Sequence, residues 1–244
     1  RVAHSRASSR AVGSPPAERV IHRTHSFTST NMIHHVYSLA RFEHSTGAHI
    51  ADMQTIVEFG GGYGSFARIA FQQGFRGQYV IHDLRPFGVL QRFFLLSVGI
   101  SIREIKNWES GEPGVYLTSS LAELESLHLR TRGLAAQRAS MFVAMFSLSE
   151  VDYATRDRVM AAGPAVFGHM LFWYQWSWRG VIPNSKWFGA LMIEERSDLS
   201  WHTWEDYGAP SEGDAGYRVV GATGAVRGRN RFAAGSIVGG GCPG

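Results

Sequence analysis

Cysteine is nearly absent from these 244 residues: the single Cys242 permits no internal disulfide and no thiolate cluster for zinc. No stretch approaches the ~20 uninterrupted apolar residues of a membrane-spanning helix, so no membrane partner is expected. There is no His/Cys cluster at zinc spacing and no Asp-rich calcium loop, and although Glu150 and Asp152 could offer oxygens to Mg²⁺, no metal is assigned. Lysine is scarce, with only Lys106 and Lys186 among 24 basic residues, and no Tyr-x-x-x-Lys pair occurs. A cytoplasmic, reducing location agrees with the lone thiol, whereas an Arg-, Ser- and Ala-rich first 20 residues also describes an organellar transit peptide.

Acidic residues are scarce at both ends, and that explains the net charge of +4. Residues 1–23 hold five Arg and one acid, and residues 218–244 hold four Arg and none. Between them, residues 24–217 carry 15 basic and 19 acidic side chains. A slightly acidic body has no electrostatic footprint for a phosphate backbone, which argues against nucleic acid as a partner. With 44% hydrophobic residues, the chain can bury one α/β core. Nothing in the sequence sets its oligomeric state.

The segment Glu58-Phe59-Gly60-Gly61-Gly62-Tyr63-Gly64 follows the apolar run Thr55-Ile56-Val57 and precedes Ser65-Phe66-Ala67-Arg68-Ile69-Ala70. This is the pattern of a strand, a ligand-cradling turn and a helix. Gly60, Gly62 and Gly64 let the backbone approach a ligand, and the helix amino terminus turns free N–H groups to the same place. A second strand, Gln78 to His82, ends at Asp83, about 20 residues on, where a carboxylate is placed to accept from ribose hydroxyls. The spelling Gly62-x-Gly64-x-x-Ala67 also satisfies a dinucleotide fingerprint, so NAD(P) competes for the site. Glu58 favours S-adenosylmethionine: at the tip of the first strand a carboxylate repels a pyrophosphate but attracts an ammonium and a sulfonium.

With these residues the chain resembles the class I S-adenosylmethionine-dependent methyltransferases, whose motifs are E/D-x-G-x-G-x-G and an acidic residue closing the next strand. Val57 to Arg68, Tyr79 to Leu84, Leu90 to Leu95 and Phe146-Ser147-Leu148-Ser149-Glu150 are similar to the sugar O-methyltransferase family over about residues 30 to 190. The resemblance implies a cofactor-binding set of Glu58, Gly60, Gly62, Gly64, Asp83 and Leu84, and a small hydroxylated acceptor such as a sugar. One departure stands out: Ser140 occupies the start of the strand before the Ser-Leu-Ser-Glu phrase, where relatives carry Asp.

The alternation of strand and helix signals predicts a Rossmann-like doubly wound sheet with an N-terminal helical cap. The expected divisions are a basic extension over 1–23, the cap over 24–54, the methyltransferase domain over 55–222 and a Gly/Arg-rich tail over 223–244. Within the cap, Asn31 to Glu43 has helical periodicity with Thr30 or Asn31 as N-cap. Strands are expected at 54–59, 78–83, 100–105, 115–118, 140–146 and 165–172. Helices are expected at 64–73, 87–98, 121–127 and 152–162. A closing antiparallel pair is sought in Lys186 to Glu194 and Tyr217 to Ala222, although the Gly-rich sequence after Gly221 does not resemble a packed strand.

Methyl transfer needs an acceptor oxygen held ~3 Å from the methyl carbon and a base for its proton. Glu150 leaves the fourth long strand at its carboxyl end and is the first candidate base; alternatively, Ser147 or Ser149 caps the next helix with Glu150 in its first turn. His34 and His35 on the cap helix are the next candidates. His82 is expected beside the adenosine, and His169 within a strand. The aromatic run Phe172 to Trp178, with Trp187 and Phe188, reads either as a stacking floor for the acceptor or as core. Two other readings keep the same glycines: an NAD(P)-binding oxidoreductase, and a binding-only relative without a working base.

Overall fold

Val57, Val80 and Phe142 stand on one side of a sheet whose other side carries Ile56, Tyr79 and Met141, and all six are fully buried. Strands covered on both faces must read as continuous apolar runs, and these do. The computed structural model describes residues 29–129, 133–178, 181–205 and 217–224. The basic segment 1–23, the first residues of the cap and all of the 223–244 tail except Thr223 and Gly224 lie outside the described residues, as does Cys242.

Eight strands form one sheet: β1 (Thr55–Phe59), β2 (Gln78–His82), β3 (Ile102–Arg103), β4 (Gly114–Thr118), β5 (Ser140–Met145), β6 (His169–Gln175), β7 (Ser200–Glu205) and β8 (Tyr217–Thr223). Their spatial order is β3-β4-β2-β1-β5-β6-β8-β7. All pairings from β3 to β6 are parallel, while β8 runs antiparallel to both β6 and β7. Helices α1 (Thr30–Thr46), α2 (Ser65–Gln72) and α3 (Arg85–Ser97) supply Leu39, Phe42, Phe66, Ile69, Phe94 and Leu95 to one core layer. Helices α4 (Leu121–Ser126), α6 (Tyr153–Ala161) and α7 (Asn184–Ala190) supply Leu124, Val159, Met160, Trp187 and Phe188 to the other. A short α5 (Leu134–Arg138) leads into β5. This is the expected doubly wound arrangement with an N-terminal helix.

Several boundaries differ from expectation for identifiable reasons. The N-cap of α1 is Ser29, whose Oγ accepts from Met32 N at 3.2 Å, rather than Thr30 or Asn31. Only Ile102–Arg103 of the 100–105 run is strand, because Ile105–Ser110 winds into a 3-10 helix that seats Trp108 in the core. The strand expected at 165–172 begins later: Gly163-Pro164 opens a 3-10 turn over Pro164–Val166, and buried Phe172, Trp173 and Tyr174 carry β6 on to Gln175. Lys186 to Glu194 is helical and not a strand. Trp187, Phe188 and Leu191 share a buried helical face, and the last turn, Leu191–Glu195, is a π-helix. The partner of β8 is instead β7, whose Trp201 and Trp204 face opposite layers.

Tyr217 to Ala222 forms a strand as expected, and the packing requires the glycine within it, Gly221. It pairs with Leu171 in β6 and His202 in β7, and a Cβ there would lie 2.6 Å from the Trp204 ring and 2.9 Å from Phe42 of α1. Trp204 also donates from Nε1 to Ser45 Oγ at 3.2 Å, so the cap helix and the antiparallel strands close over the glycine together. We predict that Gly221→Ala lowers unfolding free energy by about 1–3 kcal/mol, the cost of overpacking a filled site. Urea denaturation checks this; an unchanged midpoint would show that the α1 contact yields easily.

Candidate functional site

The carboxyl ends of β1, β2 and β5 meet at the glycine turn. Gly60, with φ +73°, continues the β1–β2 ladder by donating its N–H to His82 O at 2.8 Å. Ser147, on the 3-10 turn Ser147–Glu150 after β5, occupies the space a Gly60 Cβ would need, and its Oγ donates to Phe59 O. Any side chain at Gly60 would push the β5 loop off the turn. Gly62 has φ +55° and open space where its Cβ would be, and Gly64, with φ +97°, is the N-cap of α2.

Asp83 fixes the turn from the β2 side. Its Oδ2 accepts from Gly62 N at 3.0 Å and Gln91 Nε2 at 2.9 Å, and its Oδ1 accepts from Leu84 N at 2.7 Å. Gln91 Nε2 also reaches Gly62 O at 2.9 Å. Burial raises the Asp83 pKa, opposed by the Leu84, Gly62 and Gln91 hydrogen bonds. A carboxylate oxygen accepts about two hydrogen bonds, so Oδ1 keeps capacity for a ligand hydroxyl beside its Leu84 contact. Leu84 is 69% exposed, an open apolar edge next to that carboxylate.

Glu58 lies beneath the turn, only 1% exposed, accepting from Tyr79 Oη at 2.9 Å. Desolvation by burial drives its pKa up to about 8, with the Tyr79 hydrogen bond pulling the other way and the Asp83 charge adding to the rise. The same contact and burial push the Tyr79 hydroxyl well above its usual range. Register explains the meeting: Ile56 faces Tyr79 and Glu58 faces Ile81 across the parallel pair, so Glu58 and Tyr79 are diagonal neighbours on one face.

The cap helix touches the turn through its first half. Ser29 Oγ and Tyr63 Oη are 3.3 Å apart, and His35 Nδ1 and Ser65 Oγ are 2.9 Å apart. His35 is buried, and burial, with His34 adding, lowers its pKa to about 3; it links α1 to α2 as a neutral ring, with Phe66 edge-on. His34 is half-buried and stacks on Trp173 at 4.5 Å.

On the β5 side, Phe146 adopts φ +74° and ψ −49°, an unfavourable conformation for a residue with a Cβ. Three hydrogen bonds hold it there: its N–H donates to Trp173 O at 2.7 Å, and its carbonyl accepts from Ser149 N at 2.8 Å and Ser149 Oγ at 2.6 Å. Glu150 stands exposed at the end of this turn. Neither serine caps the next helix; Asp152 does, accepting from Thr155 N at 2.8 Å, which also employs the carboxylate considered for Mg²⁺. Among the described residues no group of three or more His, Cys, Asp or Glu is placed to hold a metal.

Arg156 escaped the sequence reading altogether. Fully buried on α6, it donates to Ser149 O at 3.1 Å, to Val151 O from Nε at 3.0 Å and Nη2 at 2.9 Å, and to Asn184 Oδ1 at 2.5 Å. Burial lowers its pKa to about 10, so it remains a cation around neutral pH. Asn184 in turn donates to Gln175 O at 2.8 Å, joining the ends of β5 and β6. The one signal in sequence was an Arg on the face of α6 that also carries Val159 and Met160.

His82 stacks on Phe59 at 5.6 Å, and His169 lies in β6 with Nδ1 3.1 Å from Thr223 Oγ1. Of the aromatic run, Phe172, Trp173 and Tyr174 are core, Tyr174 stacking on Phe188 at 4.0 Å. Ser140 begins β5 opposite Thr55 and donates to Ala136 O at 2.6 Å, so the residue that departs from the family pattern is at the amino end of the strands, away from this site.

No family model matches the chain, and no curated protein matches it in sequence. Solved structures do match. The methyltransferase domain of a bacterial Hen1, CtHen1-C, aligns with a TM-score of 0.53 at 10% identity over 80% of this chain and 98% of that one. A second structure of that domain, CtHen1-CN, gives 0.51 at 8% identity over 79% and 98%. The small RNA methyltransferase HEN1 gives 0.50 at 14% identity, covering 92% of this chain and 28% of that larger one. At these identities the likeness is one of fold: the chain has the doubly wound architecture of a class I methyltransferase domain.

Proposed function

We propose that this protein is an S-adenosylmethionine-dependent methyltransferase acting on a hydroxyl of a small acceptor; a sugar acceptor rests on the family resemblance alone. The observation that carries the cofactor assignment is the pair of carboxyls, Glu58 and Asp83, on either side of a glycine turn. Asp83, and Glu58 once ionised, would repel a diphosphate and attract a cationic amino-acid ligand. When bound, S-adenosylmethionine supplies a methyl group activated on a sulfonium. The chain's own residues would bind and orient it: Gly62 and its neighbours would offer backbone, Asp83 would accept hydrogen bonds from ribose hydroxyls, Leu84 would line the base, and Glu58 would answer the ammonium.

On the acceptor side, the Phe146 to Glu150 segment lies at the carboxyl end of β5. We assign removal of the acceptor proton to Glu150 first, because it is exposed at the end of that turn, and to His34 second. His35 takes a positioning role through Ser65. Arg156 positions the whole segment by holding the Ser149 and Val151 carbonyls.

Calorimetric titration with S-adenosylmethionine and, separately, NAD⁺ tests this reading. Micromolar binding of S-adenosylmethionine, weakened at least about tenfold by Asp83→Ala, is expected; that factor corresponds to ~1.4 kcal/mol, within reach of one charge-assisted hydrogen bond. Binding of NAD⁺ alone would overturn the assignment, and cofactor binding without turnover on any hydroxylated acceptor would indicate the binding-only relative.

Glu58 makes the reading testable by pH. Its folded-state pKa of about 8 lies above the ordinary 4.5, so the fold disfavours the ionised form and stability should fall as pH rises from about 4.5 to about 8. A cationic ligand reverses this by favouring the carboxylate. Affinity for S-adenosylmethionine should therefore rise with pH up to about 8, by at most about tenfold per unit, with proton release on binding. Glu58→Gln should flatten both profiles. An affinity that falls over the same range would point to an anionic ligand.

A further inference from the structure

We propose that the outer face of α3 is a self-association surface through which two copies of this chain form a dimer. The inner face of this 13-residue helix buries Gln91, Phe94 and Leu95. Its outer face is apolar and open: Val89 is 74% exposed, Phe93 62%, Leu96 53%, Leu90 46% and Phe87 40%. Val89, Phe93 and Leu96 follow one another at i+4 and i+3, and Leu90 is three residues before Phe93, so four of the five form one stripe. Five large apolar side chains on one helix make a contiguous patch at the upper end of what a monomer exposes, the size that is often functional.

The area suits a second copy. At about 200 Å² for a fully exposed large apolar side chain, these five present roughly 550 Å². Homodimer interfaces are about 65% apolar, so a patch of this size belongs to an interface of about 850 Å² per partner, the standard size for a stable complex. Arg85 and Arg92 are the only charges on α3 itself, and Glu104 beside it, paired with Lys106 at 2.6 Å, also acts on Arg92 and offsets part of that positive charge.

The other occupants fit less well. The chain's own segments outside the described residues lack a matching stripe: residues 1–28 offer Val20-Ile21 as their one adjacent pair of large aliphatics, residues 206–216 contain no Leu, Ile, Val, Met or Phe, and residues 225–244 offer Ile237-Val238. A lipid surface calls for a Lys/Arg-rich polar face beside the apolar one, and α3 offers only Arg85 and Arg92. Through Gln91 the same helix holds Asp83 and Gly62, so the dimer surface and the glycine turn share one rigid element.

Sedimentation equilibrium of the full chain between about 1 and 100 micromolar tests the proposal. The wild-type chain should be a dimer, and Phe93→Glu and Val89→Asp should each weaken association at least about a hundredfold, as expected for central interface residues. Circular dichroism and thermal unfolding verify that these exposed substitutions leave the fold intact. Leu134→Glu, at a 51% exposed site on α5, should remain dimeric. A monomeric wild type would overturn the proposal, as would dimers that survive both α3 substitutions with the fold intact. So would flotation of the wild-type chain, but not the variants, with phosphatidylserine vesicles.

Discussion

The glycine turn after β1 is held from three directions, and the rest of the site is arranged around that hold. Asp83 and Gln91 grip Gly62 from β2 and α3, Ser147 closes on Gly60 from β5, and Tyr63 and Ser65 meet α1 through Ser29 and His35. A glycine-rich segment loses more conformational entropy on ordering than any other, so a turn left to itself would be a poor cradle. Tying it to four separate elements meets that cost during folding rather than at ligand binding, which is how a preorganised site gains affinity.

The same arrangement puts awkward groups in the interior. Glu58 is buried with one hydroxyl partner, Arg156 is buried against two carbonyls and an amide oxygen, and Phe146 holds a left-handed backbone. Each conflicts with what a stability-optimised core would contain. All three lie at or behind the carboxyl ends of the parallel strands, the usual place for a ligand in an open α/β sheet. Arg156 is satisfied by carbonyls whose positions it thereby dictates, so the β5 loop takes its shape from a side chain on the following helix.

How much of this was legible in the sequence follows from the range of each interaction. The Glu58 to Gly64 motif, Asp83 and the strand–helix alternation are local patterns, and the structure places them as read. The α7 helix was read as a strand because Trp and Phe favour strands by propensity while tertiary packing made 187–191 helical; β6 starts late because of the turn at Gly163-Pro164, and β7 went unread. The strand at Tyr217 to Ala222 was legible, but the need for glycine at 221 was not, because Phe42, about 180 residues away, is part of what demands it. The partnerships of Tyr79, Gln91 and Ser147 are likewise long-range: Tyr79 becomes legible once the β1–β2 register is set, and Gln91 stands out as the lone amide on a buried apolar face, but Ser147 meets Phe59 across 88 residues with no pattern to announce it.

The position of β8 bears on how the chain can fold as it is synthesised. Residues 217–223 form the last described strand, yet they lie inside the sheet, between β6 and β7, rather than at its edge. Until they leave the ribosome, β6 has an open edge with buried-type aromatics, and β7 has no strand to join. The parallel half of the sheet can assemble on the nascent chain, whereas the antiparallel half must wait and then close in one step, with Trp204 and Phe42 sealing over Gly221 as it does. A chain stalled before residue 217 would therefore expose two unpaired strand edges at once, the form most open to pairing with another chain.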